Sequence, residues 1–157
     1  VADVVLLLCS DLAGMIHDYG KRYSTGELLE AAGHYGVELD RLTKKTGKLL
    51  HAPVGAVLLE NELGVKDRQI LKAITYHTTG RPGMSGLEKV IYLADYIEAG
   101  RRFEGVDQLR SMAYDHLDRA LLFAVDLAIR SVVKRGLILH PRSVAFRNSL
   151  ILKLKNT

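Results

Sequence analysis

Cysteine is almost missing: Cys9 is the single one in 157 residues. No disulfide can close within the chain, which suits a reducing compartment such as the cytoplasm, and Cys9 reads as a small buried hydrophobe. Proline is scarce, with 3 residues, and this leaves room for long uninterrupted helices. Long hydrophobic runs are lacking too. The longest, Val4 to Cys9, falls far short of the ~18 residues a membrane span needs, and no charged leader with a cleavage site precedes it. A membrane partner is not expected. Nor is there a block of one charge sign: 22 Lys and Arg face 18 Asp and Glu, a formal net charge of +4, and the basic residues are scattered among the acids. That pattern fits a small anionic substrate better than a nucleic-acid surface, and no DNA-reading motif appears.

What is present is the composition of a globular chain, 48% hydrophobic and 25% charged. The length suits one domain over residues 1–157, and no repeat, low-complexity tract or linker interrupts it. The first residue, Val1, opens directly into an apolar helix, so the chain is expected to begin inside a longer protein that supplies a preceding helix.

The periodicity is helical throughout. Val4 to Ile16 is apolar on nearly every side and ends at His17 and Asp18. Ser24 with Glu27, and Ser85 with Glu88, have capping-box spacing and open helices closing near Gly33 and Ile97. Glu38 to Thr46 makes a short charged helix, Pro53 is placed near the start of one running to Leu63, and Asp67 caps one leading to His77. Helices from Asp107 to Ala113 and Asp115 to Arg135 follow, the latter ended by Gly136. A last one runs from Arg142 to Leu154, although Ser149 to Leu152 also reads as a short strand. The fold class is all-α, a bundle of about eight helices.

Chemistry enters through residues that do not belong on apolar faces. Asp95 falls four residues after Ile91, on the inward stripe of Leu87, Ile91 and Ala94. A carboxylate there must pair, neutralise or bind a metal. His77 falls three residues after Ile74 on its own apolar face, while His17 and Asp18 end one apolar helix and His51 starts another. Each alone reads as readily as a hydrogen-bonded core residue; five together are hard to satisfy without metal. Neighbouring helical residues point about 100° apart, so a His-Asp pair serves two ions better than one. Asp18 would bridge them, with His17 and Asp95 on one ion and His51 and His77 on the other. Such a pair forms a clamp for phosphoryl transfer, and imidazole with carboxylate suits iron, manganese or zinc better than calcium.

The words around these residues are more specific: His17-Asp18-Tyr19-Gly20-Lys21, the stretch from His51 to Ala56, Tyr76 to Met84 with its Gly80-Arg81-Pro82-Gly83 turn, Glu88 to Arg101, and His140 to Asn148. Together they resemble the bacterial YqeK-type symmetrical diadenosine tetraphosphate hydrolases of the HD phosphohydrolase superfamily. The resemblance implies an all-α HD-domain bundle, cleavage of the dinucleotide into two ADP, a divalent-metal centre of di-iron or comparable type, and a homodimer. It matches His17, Asp18, His51, His77 and Asp95 to metal ligands. Lys21, Arg81 and Arg101 match positions near the polyphosphate, with Asp18 and Lys21 in the catalytic machinery. The family carries a further ligand histidine about one helix upstream, and no histidine here precedes His17.

Two alternatives stay open from the residues. One is a different HD-type nucleotidase or phosphodiesterase using the same ligands. The other is a nucleotide-binding module without turnover, should one metal site be incomplete. His34 and His116 read as solvated, His140 as a helix-start residue, and Glu88 as a cap. Tyr76, Tyr92 and Tyr96 fit either a cleft lining or helix packing.

Overall fold

The computed structural model describes residues 11–156. Cys9 and the run from Val4 lie outside them; of the first expected helix, residues 11–16 are described and are helical (α1). The described residues contain no strand. After α1 come a 3-10 turn, Tyr19–Arg22, and the helices α2 (Thr25–His34), α3 (Arg41–Lys45), α4 (Gly47–Glu62), α5 (Arg68–Tyr76), α6 (Gly86–Ile97), α7 (Val106–Asp115), α8 (Leu117–Lys134) and α9 (Pro141–Lys155). The chain divides into two compact units, Val1–Thr78 and Thr79–Thr157.

In the first unit α4 is the hub, with α2, α3, α5 and the 3-10 turn all packed on it. Its core joins Leu28 and Ala32 of α2 to Leu50, Val54 and Leu58 of α4, flanked by Tyr19 and Tyr23. The Ser24/Glu27 capping box forms as its spacing predicts and starts α2, and Asp67 caps α5 through the amides of Gln69 and Ile70.

Two boundaries differ from expectation. The short helix begins at Arg41 and not Glu38, because Asp40 turns back to accept from the amides of Leu42 and Thr43. Pro53 lies inside α4, which starts at Gly47, six residues earlier. The missing amide leaves the Leu49 carbonyl without its usual donor, a local cost of roughly 3 kcal/mol. Burial of Leu50, His51, Ala52 and Val54 on either side carries the helix through it.

In the second unit α8 is the hub for α6, α7 and α9. Tyr92, Leu93, Leu109, Leu121, Ala124, Phe146 and Leu150 form its core. The Ser149 to Leu152 strand alternative is not realised: α9 runs unbroken to Lys155, with Phe146 and Leu150 inward at helical spacing. Ala94, placed on the inward stripe of α6 from sequence, is exposed, because the buried face runs through Leu87, Glu88, Ile91 and Tyr92. Gly136 ends α8 with φ +62°. Gly80 is left-handed too, at φ +65°, and the ring of Phe146 packs on it so closely that a Cβ would lie 2.2 Å from Cδ1.

Candidate metal centre

Three imidazoles of the first unit converge on one carboxylate. His17 follows α1, His51 lies in the second turn of α4, and His77 caps the C-terminus of α5. Asp18 immediately precedes the 3-10 turn. The turn lies tight against α4: a Cβ on Gly20 would fall 2.3 Å from the His51 carbonyl oxygen, so glycine allows the backbones to meet.

Each histidine is anchored the same way. The Nδ1 of His17 donates to the Gly14 carbonyl at 2.7 Å, that of His51 to Lys48 at 2.8 Å, and that of His77 to Ile74 at 2.6 Å. A carbonyl only accepts, so the proton sits on Nδ1 and the lone pair on Nε2, the arrangement that orients an imidazole toward a metal. The Nε2 atoms all face Asp18. His51 and His77 lie 3.5 and 3.6 Å from Oδ1, and His17 lies 3.5 Å from Oδ2. Oδ1 is buried and accepts no hydrogen bond among the described residues, whereas Oδ2 accepts one from Lys21 Nζ at 2.7 Å.

The electrostatics favour ligands ready for a cation. Burial alone would raise the Asp18 pKa, but the neighbouring His77 and His17 imidazoles and the Lys21 ammonium together hold it well below the usual carboxylate range. Burial, followed by repulsion from His77, pushes His51 down to about 4. At neutral pH the site therefore offers an ionised carboxylate and, at His51, a neutral imidazole.

These donors fit a divalent metal. Imidazole nitrogen and carboxylate oxygen are the ligands of zinc, iron and manganese sites, and ligand atoms of His17, Asp18 and His77 lie within 4.8 Å of one another. The split of Asp18, one oxygen toward His51 and His77 and the other toward His17, is the arrangement a bridging carboxylate needs.

The other residues singled out from sequence belong to the second unit. Asp95 is half-buried, and its carboxylate takes the guanidinium of Arg101, which also donates to the Asp95 backbone carbonyl at 2.8 Å. Arg81 makes a bidentate pair with Glu88, Nε to Oε1 at 2.6 Å and Nη2 to Oε2 at 2.8 Å. Glu88 also closes the Ser85 capping box, so its role as a cap holds, yet it is only 1% exposed. The Arg81 pairing went unread: nothing in a seven-residue spacing announces it.

Tyr92 belongs to the core, its ring edge-on to Phe146. His140 caps α9 by accepting from the Arg142 amide, and His34 and His116 are exposed. A second cluster escaped sequence reasoning: Tyr19 and Tyr23 both donate to Glu62 Oε2, at 2.7 and 2.8 Å. The only hint was an acid in the last turn of a helix, where the dipole disfavours it.

The HD domain model matches residues 7–100. The chain is similar to the "Bis(5'-nucleosyl)-tetraphosphatase, symmetrical" of Halalkalibacterium halodurans, 38% identical over 146 residues, covering 93% of this chain and 78% of that protein. The protein of the same description from Bacillus subtilis is 39% identical over 142 residues, covering 90% and 76%. Among solved structures, a predicted HD superfamily hydrolase involved in NAD metabolism from Clostridium acetobutylicum superposes with a TM-score of 0.87 at 42% identity, covering 90% of this chain and 75% of that one.

Proposed function

Because the chain belongs to the HD domain family, and within it to the symmetrical bis(5'-nucleosyl)-tetraphosphatases, we propose that it hydrolyses diadenosine tetraphosphate at a divalent-metal centre bridged by Asp18. Water adds to one of the two inner phosphorus atoms, the central P–O–P bond breaks, and two ADP leave. The observation that carries the site is the convergence of three Nδ1-anchored imidazoles on the two oxygens of one carboxylate.

His51, His77 and Asp18 Oδ1 would hold one ion; His17 and Asp18 Oδ2 would hold the other, with Asp95 as the further ligand the family pattern assigns. A metal pair supplies Lewis acidity at the scissile phosphate and acidifies the attacking water. Asp18 fixes both halves of the site with one rigid group, and the Gly14, Lys48 and Ile74 carbonyls keep the three Nε2 lone pairs aimed at it. Lys21, half-exposed at the rim, transfers its ammonium from Asp18 Oδ2 to a phosphate oxygen when substrate binds. Arg81 and Arg101, which the resemblance matches to positions near the polyphosphate, would turn to it from Glu88 and Asp95.

The donor set suits iron, manganese or zinc alike, and the resemblance favours iron. The family match crosses the Thr78 boundary, which supports treating residues 1–157 as one HD domain. A homodimer and a cytoplasmic location rest on the resemblance and the single cysteine. No helix among the described residues is long and apolar enough to cross a membrane. A second reading, a nucleotide-binding module without turnover, draws on the engagement of Asp95 by Arg101.

Stripping the protein with chelator and restoring Fe2+, Mn2+ or Zn2+ one at a time separates the two. Uptake of about two equivalents with recovery of hydrolysis supports the enzyme. Nucleotide binding without turnover under every metal supports the module.

A further inference from the structure

We propose that Glu62 is a positioning residue for the metal centre: by accepting from Tyr19 and Tyr23 it fixes the turn that carries Asp18 and Lys21 in register with His51. The inference deepens the metal-centre reading above and rests on it.

The two tyrosines bracket the turn. Tyr19 follows Asp18 directly, and Tyr23 comes two residues after Lys21. Both hydroxyls end on the same oxygen, Glu62 Oε2, at 2.7 and 2.8 Å, so the turn is tied to a single point on α4 from both of its ends. Its middle is held separately, where Gly20 meets the His51 backbone and Gly55 packs back on Gly20. Glu62 and His51 share α4, about three turns and roughly 16 Å apart along the axis. Two separated attachments on one rigid helix fix both the position and the tilt of the turn, where one alone would leave it free to pivot.

Glu62 is an unlikely residue to find there for packing alone. It is the last residue of α4, at the negative end of the helix dipole, where an anion is disfavoured. The surroundings offset this: besides the two hydroxyls, the Arg22 guanidinium sits over both rings, 5.1 Å from the Tyr19 centroid and 5.9 Å from that of Tyr23. Arg22 lies within the same turn, so its charge reinforces the attachment. Glu62 is exposed and touches none of the candidate ligands, so its action passes through the tyrosines and is one of geometry.

The test is Mn2+ affinity, measured by calorimetry on the metal-stripped protein, with thermal melting in parallel. The variants are Glu62→Ala, Glu62→Gln and the double change Tyr19→Phe with Tyr23→Phe, which keeps the rings and removes only the hydroxyls. Glu62→Ala and the double variant weaken Mn2+ binding by about tenfold, the lower end of what loss of a ligand's supporting shell produces. Glu62→Gln, which keeps an acceptor oxygen, recovers most of that loss. Mn2+ affinity within twofold of wild type in both disruptive variants overturns the proposal, and a lower melting temperature with unchanged affinity overturns it equally by assigning the cluster to stability. Failure of the wild-type chain itself to bind Mn2+ is a distinct result, striking the metal-centre reading first and this inference with it.

Discussion

His51 and His77 meet nitrogen to nitrogen, their Nε2 atoms 3.1 Å apart, while each Nδ1 is committed to a backbone carbonyl. With both protons on Nδ1, two lone pairs face each other, a contact that repels unless a cation lies beside both. A cation held between the two nitrogens would relieve that repulsion.

Metal should therefore stabilise the fold. At a free Mn2+ concentration of 100 times its dissociation constant, a site present only in the folded state adds about 2.7 kcal/mol. Wild-type protein is expected to show a clear rise in melting temperature on adding Mn2+ after chelation, and His77→Ala little or none. An equal rise in both would remove His77 from the site.

The metal-free protein should weaken in mild acid. The folded His51 pKa lies at about 4, below the unfolded value near 6.5. Between these values the unfolded chain binds a proton that the buried imidazole refuses, so stability falls as pH drops from 6.5 toward 4 and is unaffected above that window. Asp18 acts in a lower range, since its depressed pKa withdraws stability only below the ordinary carboxylate value. Urea unfolding of stripped protein at pH 7, 5.5 and 4.5 checks this, and His51→Gln should flatten the slope.

Lys21 lies at the rim, half-exposed, with its ammonium on Asp18 Oδ2. In Lys21→Ala the KM for dinucleotide should rise about tenfold, the size of one charged hydrogen bond. Mn2+ affinity should hold or improve, because a competitor for Oδ2 is gone. Steady-state kinetics beside metal titration measures both, and an unchanged KM makes Lys21 a bystander.

Much of this centre was legible in the sequence because the signals are local. Helical spacing set His77 on an apolar face, a His-Asp pair ended an apolar run, and Ser24, Asp67 and Ser85 announced their caps. Pro53 misled because local cost argued for a helix start, while burial of the flanking residues decided otherwise. The Glu62 cluster stayed hidden for a different reason. Contacts across 39 and 43 residues leave no period to read, and neither a glutamate nor a tyrosine is unusual on a helix surface. Asp95 was flagged for its carboxylate on an inward stripe; its partner Arg101 is six residues on, outside the spacing of any helix pair.

In the second unit, Gly80→Ala should be severe. The left-handed φ of +65° alone strains an alanine, by about 1–2 kcal/mol, and its Cβ would run into the Phe146 ring at 2.2 Å. Displacing Phe146 disturbs a residue whose own truncation would cost roughly 3–5 kcal/mol. Denaturant unfolding should show a loss of at least about 2 kcal/mol, against no loss, or a gain of up to about 1 kcal/mol, for Gly33→Ala in α2, where a Cβ meets nothing within 4 Å.

The central claim is symmetrical hydrolysis at a centre built on Asp18, and the products of diadenosine tetraphosphate, separated after incubation with metal-loaded protein, test it most directly. The account predicts ADP as the sole nucleotide product, with none formed by Asp18→Ala, which should also lose its bound metal. A mixture of ATP and AMP from the wild-type chain, or undiminished ADP formation by Asp18→Ala, would contradict it.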